Sequence, residues 1–559
     1  MVKYPDMHNS LSLIPLGGVG DVTKNMYVYE MEDEILLIDC GLGFANDSMP
    51  GVDLLLPDIS YLQSVNKKIV GMVITHGHED HMGGLPFILP QLPNFPIYAS
   101  PLTAALANEK LKEFGNPTKV QAISFAQKEL TIGKFTISLI RVTHSVPDTA
   151  HILIKTPVGY FYHGSDFKFD LTPADGKKTD LLKIARTGEL NVRCLLSDCL
   201  GSEREGHTPS EITLTENIEQ EMRICEGKFI ITTYSSNISR LNQAIEVAEK
   251  MGRQICFIGR SLIRAKEVAK NLGYLKIKAG IEVTPEQAKK IPDNKLMLLV
   301  AGSQGQQGSA MNRIAEDEHK DIKLRSKDVV LFSSDPIPGN EIAVNMLIDA
   351  IVKKGAKAVY SDSASKYHVS GHGAALELKL LMSLVKAKTV LPIGGTYRQM
   401  VVYKKLAKEL GYEDKNILLL EDGQEMIFTN TSMHLGKKVP SRFVYVDEIS
   451  GEEVESFILR DRKRISKEGI VIAMTQIDSE TGNILETPDV IIRGFKVDSQ
   501  AHAKLVEHIT KDLKSNIGKR KTRIIDWIHI RKQISDIVEK QFFKQFKRRP
   551  LVLPIVVEV

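Results

Sequence analysis

The spacing of apolar residues predicts an α/β arrangement in the first part of the chain. Apolar runs rich in β-branched residues, each short enough for a buried strand, end at glycines or at polar side chains. The run at 69–75 stops at a group of histidines and is followed by a segment with helical spacing. Such runs predict strands at 34–39, 69–75, 134–142 and 151–163. Polar groups at strand ends are where layered α/β folds place their chemistry.

A second pattern starts near Lys228, where short apolar runs alternate with amphipathic helical segments. This alternation is typical of βαβ units. Strands are predicted at 229–233, 254–258, 296–301, 328–334 and 389–393, with a helix at about 239–251. After about Arg442 the chain becomes more charged. Strands at 469–474 and 551–557, with helices at about 498–515 and 527–546, predict a separate α+β unit there.

Length and composition narrow the class of protein. At 559 residues the chain is too long for one hydrophobic core, so three or four compact units are expected. The hydrophobic share of 43% and the charged share of 25% are those of ordinary soluble proteins. Neither a secretory signal nor an apolar run of the roughly 20 residues needed to span a bilayer is found. Five cysteines without a CxxC pair favour a reducing, cytoplasmic location.

The strongest chemical signal is the segment Thr75-His76-Gly77-His78-Glu79-Asp80-His81, an HxHxDH pattern directly after a predicted buried strand. Three imidazoles with acidic neighbours, in an extended loop that enters a helix, can face two different metal ions. A solvated polar loop is the alternative, but it gives no reason for histidines at this density. The segment therefore predicts a metal site.

Two further polar residues follow apolar runs in the same way. His144 follows the run at 134–142, and Asp166 lies just after the run at 151–163. Each alone is more often a loop or cap residue. Together with the first segment they become candidate ligands. The expected arrangement has one ion on His76, His78 and His144, another on Asp80 and His81, and the Asp166 carboxylate between the two ions.

In these motifs the sequence resembles the metallo-β-lactamase superfamily and, within it, the β-CASP nucleases of the bacterial ribonuclease J type. The resemblance runs nearly end to end, and the motifs occur in the family's order, which makes the match specific. Besides the HxHxDH segment, the matching motifs are His163-Gly164-Ser165-Asp166-Phe167-Lys168-Phe169-Asp170, Ser235-Ser236-Asn237-Ile238-Ser239-Arg240, Gly302-Ser303-Gln304-Gly305, Pro336-Ile337-Pro338-Gly339-Asn340-Glu341 and His368-Val369-Ser370-Gly371-His372.

The resemblance implies an α/β fold, in which a metallo-β-lactamase αββα sandwich carries an inserted β-CASP α/β domain and is followed by a small C-terminal α+β domain. The implied limits are 1–205 and 358–445 for the two parts of the lactamase domain and 206–357 for the β-CASP domain. Residues 446–559 would form a linker and a C-terminal oligomerisation domain. The change of pattern near Lys228 agrees with such an insertion.

The resemblance also assigns catalytic roles. Asp198 corresponds to an acid that orients a histidine, and His372 corresponds to that histidine, which donates a proton to the leaving oxygen. A leaving alkoxide needs a proton, and a carboxylate can fix the imidazole tautomer. Taken alone, Asp198 as a turn residue and His372 as a polar residue before a helix are at least as good an interpretation. The positions that hold RNA phosphate or the 5′ nucleotide in the family are Ser236, Asn237, His368, Val369, Ser370, Gly371 and His372.

One departure from the family affects the metal site. The family's Pro-Val-His-Gly-Glu-Tyr-Arg segment supplies a further histidine ligand, whereas this chain has Gly394 at that position. Glycine has no side chain to coordinate an ion, so weaker occupancy of the second site is expected. Gln306 and Gln307 also replace the Glu-Pro that is common in the family. Reduced activity, an altered metal preference, or activity with water in the vacant position would each fit.

The function implied by the resemblance is that of a metal-dependent ribonuclease with two divalent ions, zinc first and manganese or magnesium as alternatives. It implies 5′-to-3′ exonucleolytic cutting with a preference for a 5′ monophosphate, together with endonuclease cutting, in RNA decay and maturation. In the two-metal mechanism a bridging water is deprotonated and attacks phosphorus in line. The implied partners are single-stranded RNA and other copies of the chain, in a homodimer or homotetramer, or a paralogous subunit; no membrane is involved.

Two alternatives to this function remain. A catalytically weakened RNA-binding or scaffold subunit, beside an active paralogue in an RNA-decay complex, is suggested by Gly394. A hydrolase of small esters or lactams is disfavoured, because that chemistry needs neither a long inserted domain nor a second histidine motif.

The C-terminal part of the chain is basic. The net charge of the whole is only +4, but residues 501–559 carry 14 Lys and Arg against 6 Asp and Glu, a net +8 that leaves −4 for the rest. Lys519-Arg520-Lys521 and Lys547-Arg548-Arg549 belong to this segment. A contact with RNA would explain it, and so would a solvated charged face, which is the commoner case.

Overall fold

The computed structural model describes residues 10–46, 48–337, 339–361, 367–448, 450–478, 483–517 and 527–559. The chain divides into two compact units. The first comprises the residues up to Gly43 together with Leu56–Phe443, and the second comprises Phe44–Leu55 and Val444–Val559. Pro338 of the 336–341 motif and the basic group Lys519-Arg520-Lys521 lie outside the described residues.

Strands follow one another directly in the early part of the chain and alternate with helices between about residues 192 and 393. In chain order the strands are β1 (Ser10–Gly17), β2 (Val19–Gly20), β3 (Met26–Met31), β4 (Glu34–Ile38), β5 (Gly43–Phe44), β6 (Leu54–Leu56), β7 (Lys68–Ile74), β8 (Ile97–Ala99), β9 (Val120–Ala122), β10 (Leu130–Ile132), β11 (Phe135–Arg141), β12 (Ala150–Thr156), β13 (Gly159–His163), β14 (Val192–Asp198), β15 (Phe229–Thr232), β16 (Gln254–Ile258), β17 (Leu296–Val300), β18 (Val329–Phe332), β19 (Lys357–Val359), β20 (Thr389–Ile393), β21 (Gly395–Thr396), β22 (Gln424–Thr429), β23 (Met433–Lys438), β24 (Val444–Val446), β25 (Ile470–Ile477), β26 (Asp489–Arg493) and β27 (Leu551–Glu558).

The helices include several short ones next to functional segments. In chain order they are α1 (Ser60–Ser64), α2 (Glu79–Met82), α3 (Leu85–Ile88), α4 (Pro101–Glu113), α5 (Leu181–Thr187), α6 (Thr213–Ile224), α7 (Ile238–Lys250), α8 (Arg260–Asn271), α9 (Pro285–Ala288), α10 (Ala310–Ala315), α11 (Glu341–Lys353), α12 (Ala375–Val385), α13 (Tyr397–Glu409), α14 (Ser456–Glu468), α15 (Ser499–Asn516) and α16 (Trp527–Phe546). Short 3₁₀ helices lie at Leu89–Gln91, Asp293–Lys295 and Asp414–Asn416.

Two sheets pack face to face in the first unit. Their strand orders are β23-β22-β1-β3-β4-β7-β8-β9 and β10-β11-β12-β13-β14-β20. One apolar cluster joins them, with Tyr29 and Leu36 from the first sheet and Ile152 and Leu195 from the second, all fully buried. Helix α4 contacts β8 and β9, while α12 and α13 contact β14 and β20. Helices therefore cover the outer faces, and the predicted αββα sandwich is confirmed.

A separate parallel sheet lies in the same unit, with the order β16-β17-β15-β18-β19. Apolar clusters cover both faces, one with Leu241 of α7 and Leu262 of α8, the other with Met311 of α10 and Leu347 of α11. Parallel strands buried on both faces need connecting helices on both sides. The βαβ pattern expected after Lys228 is thus confirmed, although β20 pairs with β14 of the sandwich instead.

The single run predicted as a strand at 151–163 is two strands. β12 and β13 form a tight hairpin, in which Thr156 lies opposite Gly159. Gly159 has a φ of +124°, which favours glycine, and Pro157 cannot donate a backbone hydrogen bond. Apolar residues on both sides concealed this turn in the sequence.

The chain has fewer compact units than its length predicted, because the inserted sheet packs closely against the sandwich. Leu102 and Val146 of the sandwich share an apolar cluster with residues of the inserted part. Tyr274 also donates a hydrogen bond to Asp148, and Arg264 pairs with Glu113. These contacts make one unit out of two domains.

The second unit contains a sheet of order β26-β25-β27 and a short sheet of order β24-β6-β5. Helices α15 and α16 cover one face of the longer sheet, where Leu505, Ile534 and Val471 are fully buried. The α+β unit predicted here is confirmed. The other face leaves apolar side chains 36–43% exposed: Met474, Leu553, Ile555 and Val557. Within the described ranges, no helix combines the length and the apolar character that a membrane span requires.

Candidate metal centre and active site

The histidine segment takes its geometry from the end of β7 and the start of α2. His76 and His78 follow the strand, and His78 is still extended, with φ −85° and ψ 154°, just before the helix begins at Glu79. The helix then turns Asp80 and His81 away from that extended stretch. One segment can therefore present two sets of ligands in two directions.

The first group of converging side chains contains His76, His78, His144 and Asp166. Nε2 of His76 and Nε2 of His144 each lie 3.1 Å from Nδ1 of His78. Oδ2 of Asp166 lies 3.6 Å from Nε2 of His76 and 3.7 Å from Nε2 of His144. Two ligand atoms on one tetrahedral zinc ion lie about 3.3 Å apart, given bonds of about 2.05 Å. These four side chains therefore fit one ion.

The second group contains Asp80, His81 and Asp166. Nε2 of His81 lies 3.6 Å from Oδ2 of Asp80 and 3.5 Å from Oδ1 of Asp166. Asp166 thus directs one carboxylate oxygen to each group. Three protein ligands and one open position are usual at catalytic zinc sites.

In each histidine of the first group, the ring nitrogen that does not face the other ligand atoms also has a polar neighbour. Nδ1 of His144 donates to the carbonyl of Gly371 at 2.8 Å, and Nδ1 of His76 lies 3.1 Å from the Thr75 hydroxyl. Nε2 of His78 lies 3.2 Å from the Ser145 hydroxyl. Such outer contacts fix the ring orientation and the tautomer of a metal-binding histidine.

Asp39 is a functional residue that the sequence did not reveal. It lies just after β4, is fully buried, and accepts a 2.7 Å hydrogen bond from Nδ1 of His81. It also accepts bonds from the backbone N–H of Thr75 at 2.7 Å and from its hydroxyl at 2.8 Å. Its φ of +62° is unusual for a residue with a side chain. The only signal in the sequence is an acid at the end of an apolar run.

The pKa values of the first group favour neutral imidazoles. Burial lowers the pKa of His76 and of His144 well below the ordinary histidine value, and it lowers the pKa of His78 to about 4. A neutral imidazole keeps a lone pair for a metal ion. The protonation state of this group is therefore the one that a ligand set needs.

The pKa values of His81 and Asp166 are shifted from their ordinary values in opposite directions. Burial lowers the pKa of His81, but the carboxylates of Asp166, Asp80 and Asp39 outweigh burial and raise that pKa well above its ordinary value. Burial raises the pKa of Asp166, but His81 and His372 lower it well below the usual range. The carboxylates of the second group thus favour a positive charge beside them, which a divalent ion can supply as well as a protonated His81 does.

A third group joins Asp166 to Asp198 and His372. Nδ1 of His372 lies 2.7 Å from Oδ2 of Asp198, and its Nε2 lies 3.9 Å from Oδ2 of Asp166. Burial lowers the pKa of His372, but Asp198 and Asp166 raise it to about 8. The imidazole is consequently oriented by one carboxylate, with its other nitrogen directed at the metal groups.

Gly394 lies beside the second group with room for a side chain. It has a φ of +64°, and its N–H donates to the carbonyl of Gly18 at 2.8 Å. A Cβ atom placed here would lie 3.6 Å from Oδ1 of Asp166 and 3.9 Å from Oδ1 of Asp198, which is ordinary contact. A Cβ atom therefore fits at the position that carries a histidine in the resembled family.

The residues expected to contact RNA lie on two segments, one directly before α7 and one that ends at His372 of the third group. Ser236 and Asn237 precede α7, and Oδ1 of Asn237 accepts from the backbone N–H of Arg240 at 3.0 Å. Val369 lies in the other segment, where the Ser370 hydroxyl accepts from the backbone N–H of His372. Nδ2 of Asn237 and Nδ1 of His368 are buried atoms without a hydrogen-bond partner in the described part of the chain. Unpaired buried polar atoms are uncommon, and a bound water, ion or ligand is one explanation for them.

Comparison with protein families gives three matches along the chain. The description "Beta-lactamase superfamily domain" matches residues 35–185, "Ribonuclease J, beta-CASP domain" matches residues 226–351, and "Ribonuclease J C-terminal domain" matches residues 457–559. The matched regions follow one another in the order of the sandwich, the inserted sheet and the second unit.

Curated relatives match over nearly their whole length. The chain is 36% identical to Ribonuclease J of Thermus thermophilus over 98% of its own length and 95% of the relative. It is 35% identical to Ribonuclease J 1 of Streptococcus pyogenes, with 98% of both chains covered. Ribonuclease J2 of Bacillus subtilis is 33% identical, with 98% of this chain and 99% of the relative covered.

A solved structure supports the fold alone. A protein of unknown function from Enterococcus faecalis V583 aligns with a TM-score of 0.54 at 16% identity, which covers 75% of this chain and 100% of that chain.

Proposed function

This chain belongs to the ribonuclease J family, and from that membership we propose that it is a metal-dependent ribonuclease that hydrolyses phosphodiester bonds in single-stranded RNA. The observation that carries the proposal is the convergence of three groups on Asp166: two groups suited to divalent ions, and the pair of Asp198 and His372. A two-ion centre beside a proton donor suits phosphodiester hydrolysis.

The donor atoms favour two divalent ions, with zinc first and manganese or magnesium as alternatives. Imidazole nitrogen and carboxylate oxygen are ligands that zinc accepts readily. When bound, the ions would offset the charge of the phosphoryl group and make a water molecule acidic enough to act as the nucleophile. One ion would be held by His76, His78, His144 and Asp166, and the other by Asp80, His81 and Asp166.

His372 is proposed as the group that protonates the leaving oxygen. Its Nδ1 is engaged by Asp198 at 2.7 Å, so a proton for donation would be carried on Nε2. That nitrogen lies 3.9 Å from Oδ2 of Asp166, beside which the scissile phosphate would be held. Asp198 fixes the tautomer and stabilises the charged ring.

RNA phosphate and the 5′ nucleotide are proposed to contact the segments 236–237 and 368–372. The unpaired atoms Nδ2 of Asn237 and Nδ1 of His368 support this assignment, because both can donate to phosphate oxygens. The hydroxyls of Ser236 and Ser370 and the backbone N–H groups of Val369 and Gly371 add further donors. With one tryptophan and 6% aromatic residues in the chain, recognition would depend on the RNA backbone more than on stacking.

Family membership supports a proposal about the mode of cutting. We propose 5′-to-3′ exonucleolytic cutting with a preference for a 5′ monophosphate, together with endonuclease cutting, in RNA decay and maturation. A circular RNA has no 5′ end, so its cleavage measures the endonuclease component separately. Failure to cut any linear RNA progressively from its 5′ end would contradict the exonuclease assignment.

Metal removal tests the proposed ribonuclease on the intact chain. The metal content is measured before and after chelation, and cleavage of a 5′-monophosphorylated single-stranded RNA is followed before chelation, after it, and after adding back zinc, manganese or magnesium. We expect cleavage to disappear with the metal and to return with it, because metal activation of water supplies the nucleophile. Metal-loaded protein that cuts no RNA would contradict the proposal and support the scaffold alternative. Family membership does not favour that alternative.

A gain of metal affinity is expected from Gly394→His. The backbone at φ +64° would cost about 1–2 kcal/mol with any side chain, but a Cβ atom fits there at ordinary contact distances. A fourth protein ligand should tighten the second ion by at least about tenfold. Titration of the chelated protein with zinc measures this, through the affinity of the second equivalent.

Gly394→Ala is the matched control for that measurement. It carries the same backbone cost without a ligand atom, so its metal affinity should stay at the wild-type value. Equal second-site affinity in the histidine and alanine variants would show that position 394 does not lie at an ion site.

Domain limits, assembly and location complete the proposal. The limits proposed are 1–205 and 358–445 for the lactamase domain, 206–357 for the β-CASP domain and 446–559 for the C-terminal part.

The exposed apolar face formed by Met474, Leu553, Ile555 and Val557 supports a homodimer or homotetramer of this chain, since water contact with such a patch is unfavourable. Light scattering measures the mass, and a single chain would contradict this. Five buried free cysteines fit a reducing cytoplasm.

A further inference from the structure

Buried charges connect the two domains of the first unit. Lys168, Glu211 and Arg240 are 0%, 3% and 0% exposed, and we call them the buried charge network. Nζ of Lys168 lies 3.1 Å from Oε1 of Glu211, and Nη2 of Arg240 donates to Oε2 of Glu211 at 2.6 Å. Asp170 accepts from the backbone N–H of Glu211 at 2.9 Å, so two cations face two carboxylates.

Arg240 uses its whole guanidinium group in this network. Besides the bond to Glu211, Nε donates to Gln243 at 3.2 Å. Nη1 donates to the carbonyls of Ser333 at 3.1 Å and Tyr367 at 3.3 Å. Gln243 in turn donates to the carbonyl of Glu211 at 2.7 Å, which fixes the backbone that carries the acid. A flexible ammonium could not reproduce this planar set of bonds.

The segments held by the network are those that carry the proposed chemistry. Lys168 lies two residues after Asp166, on which all three ligand groups converge. Arg240 lies in the first turn of the helix that Asn237 caps, and it donates to the carbonyl of Tyr367, the residue before His368. A displacement of Arg240 would therefore move the RNA-contacting segments relative to the metal groups.

Stability alone does not explain such a network. Removing charges from water is costly, and apolar side chains of similar volume often give equal or greater stability. What a buried guanidinium adds is one defined geometry among groups from distant parts of the chain. Arg253, in the same domain, shows the structural use, because its guanidinium donates to four backbone carbonyls, those of Met222, Cys225, Gly227 and Leu296.

We propose that Arg240 is a positioning residue for RNA cleavage, which through Glu211 and Lys168 sets the distance between the phosphate-contacting segments of the inserted domain and the metal groups of the sandwich. The proposal rests on the proposed ribonuclease function. Reacting atoms must be held to within a fraction of an ångström, and a misplacement of about 1 Å can reduce the rate about a hundredfold.

The experiment compares Arg240→Lys with the matched variant Arg253→Lys in the full chain. Both variants keep a positive charge and lose a buried planar fork, so both should lower the thermal unfolding midpoint. For Arg240→Lys we expect kcat on a 5′-monophosphorylated single-stranded RNA to fall by at least about tenfold per folded, metal-loaded chain, with the metal content unchanged. For Arg253→Lys we expect kcat within about twofold of wild type.

The outcomes separate this inference from the proposed function. A wild-type chain that binds metal but cuts no RNA would defeat the function itself. Wild-type kcat in Arg240→Lys, or equal losses of kcat in the two variants, would overturn the positioning role. If Arg240→Lys does not fold, Glu211→Gln decides the matter, because it keeps the shape of the acid while removing its charge. A lower kcat with normal metal content supports the role, and an unchanged kcat refutes it.

Discussion

Asp166→Asn is expected to remove both bound ions and to abolish RNA cleavage. The carboxylate directs Oδ2 toward His76 and His144, at 3.6 and 3.7 Å, and Oδ1 toward His81 at 3.5 Å. An amide presents only one oxygen and no charge, so one ion loses a ligand and both ions lose the negative charge that the carboxylate places between them. Since the ions supply several kcal/mol of transition-state stabilisation, the rate should fall by about a thousandfold or more. Elemental analysis and the RNA cleavage assay measure the two effects.

Asp328→Asn provides the matched control for this substitution. Asp328 is also buried, at 1% exposure, but it lies in the inserted domain, where it pairs with Lys228 at 2.7 Å. Its replacement should lower stability and leave metal content and cleavage per folded chain unchanged. Two ions retained by Asp166→Asn would mean that its carboxylate does not bridge the groups.

His372→Gln is expected to slow cleavage without releasing metal. The imidazole is oriented by Asp198 at 2.7 Å and contributes to neither of the two ion groups built on the histidine segment. Loss of a general acid typically costs about 10²–10⁴ in rate, so kcat should fall by that amount. Steady-state kinetics and metal analysis on the same preparation measure this.

His319→Gln tests whether that loss is specific. His319 is a comparably buried histidine of the inserted domain, whose Nδ1 accepts from the backbone N–H groups of Asp321 and Ile322. Its replacement should leave kcat at the wild-type level. If His372→Gln instead lost metal, or kept a normal kcat, the proton-donor role would have to be abandoned.

The sequence was informative where a group of residues is contiguous. Three histidines and their acidic neighbours lie within one short segment after a recognisable strand, so the metal groups were predictable from the amino-acid sequence alone. Strand positions were also largely predictable, because β-branched runs such as 254–258 coincide with β16. The hairpin at 156–159 was not, since apolar residues continue through the turn.

Residues that depend on distant pairing could not be found in this way. Asp39 reaches Thr75 and His81 only because β4 and β7 are adjacent parallel strands, with Ile38 beside Val73. A single acid after a strand does not reveal that neighbour. The role of Arg240 was equally hard to predict, because arginine is normally a surface residue and the partners of Arg240 lie far away in the chain. The departure at Gly394 was visible in the sequence, but its left-handed backbone was not.

The strand order of the first sheet has a consequence during synthesis of the protein. β1 lies between β3 and β22, and Leu13 pairs with both Tyr29 and Met426. About 400 residues separate the two strands, which takes about 20–80 s at a synthesis rate of about 5–20 residues per second. Throughout that interval one edge of the first strand has no native neighbour and can pair with other chains. The yield of native protein thus depends on keeping that edge unpaired while the inserted domain is translated.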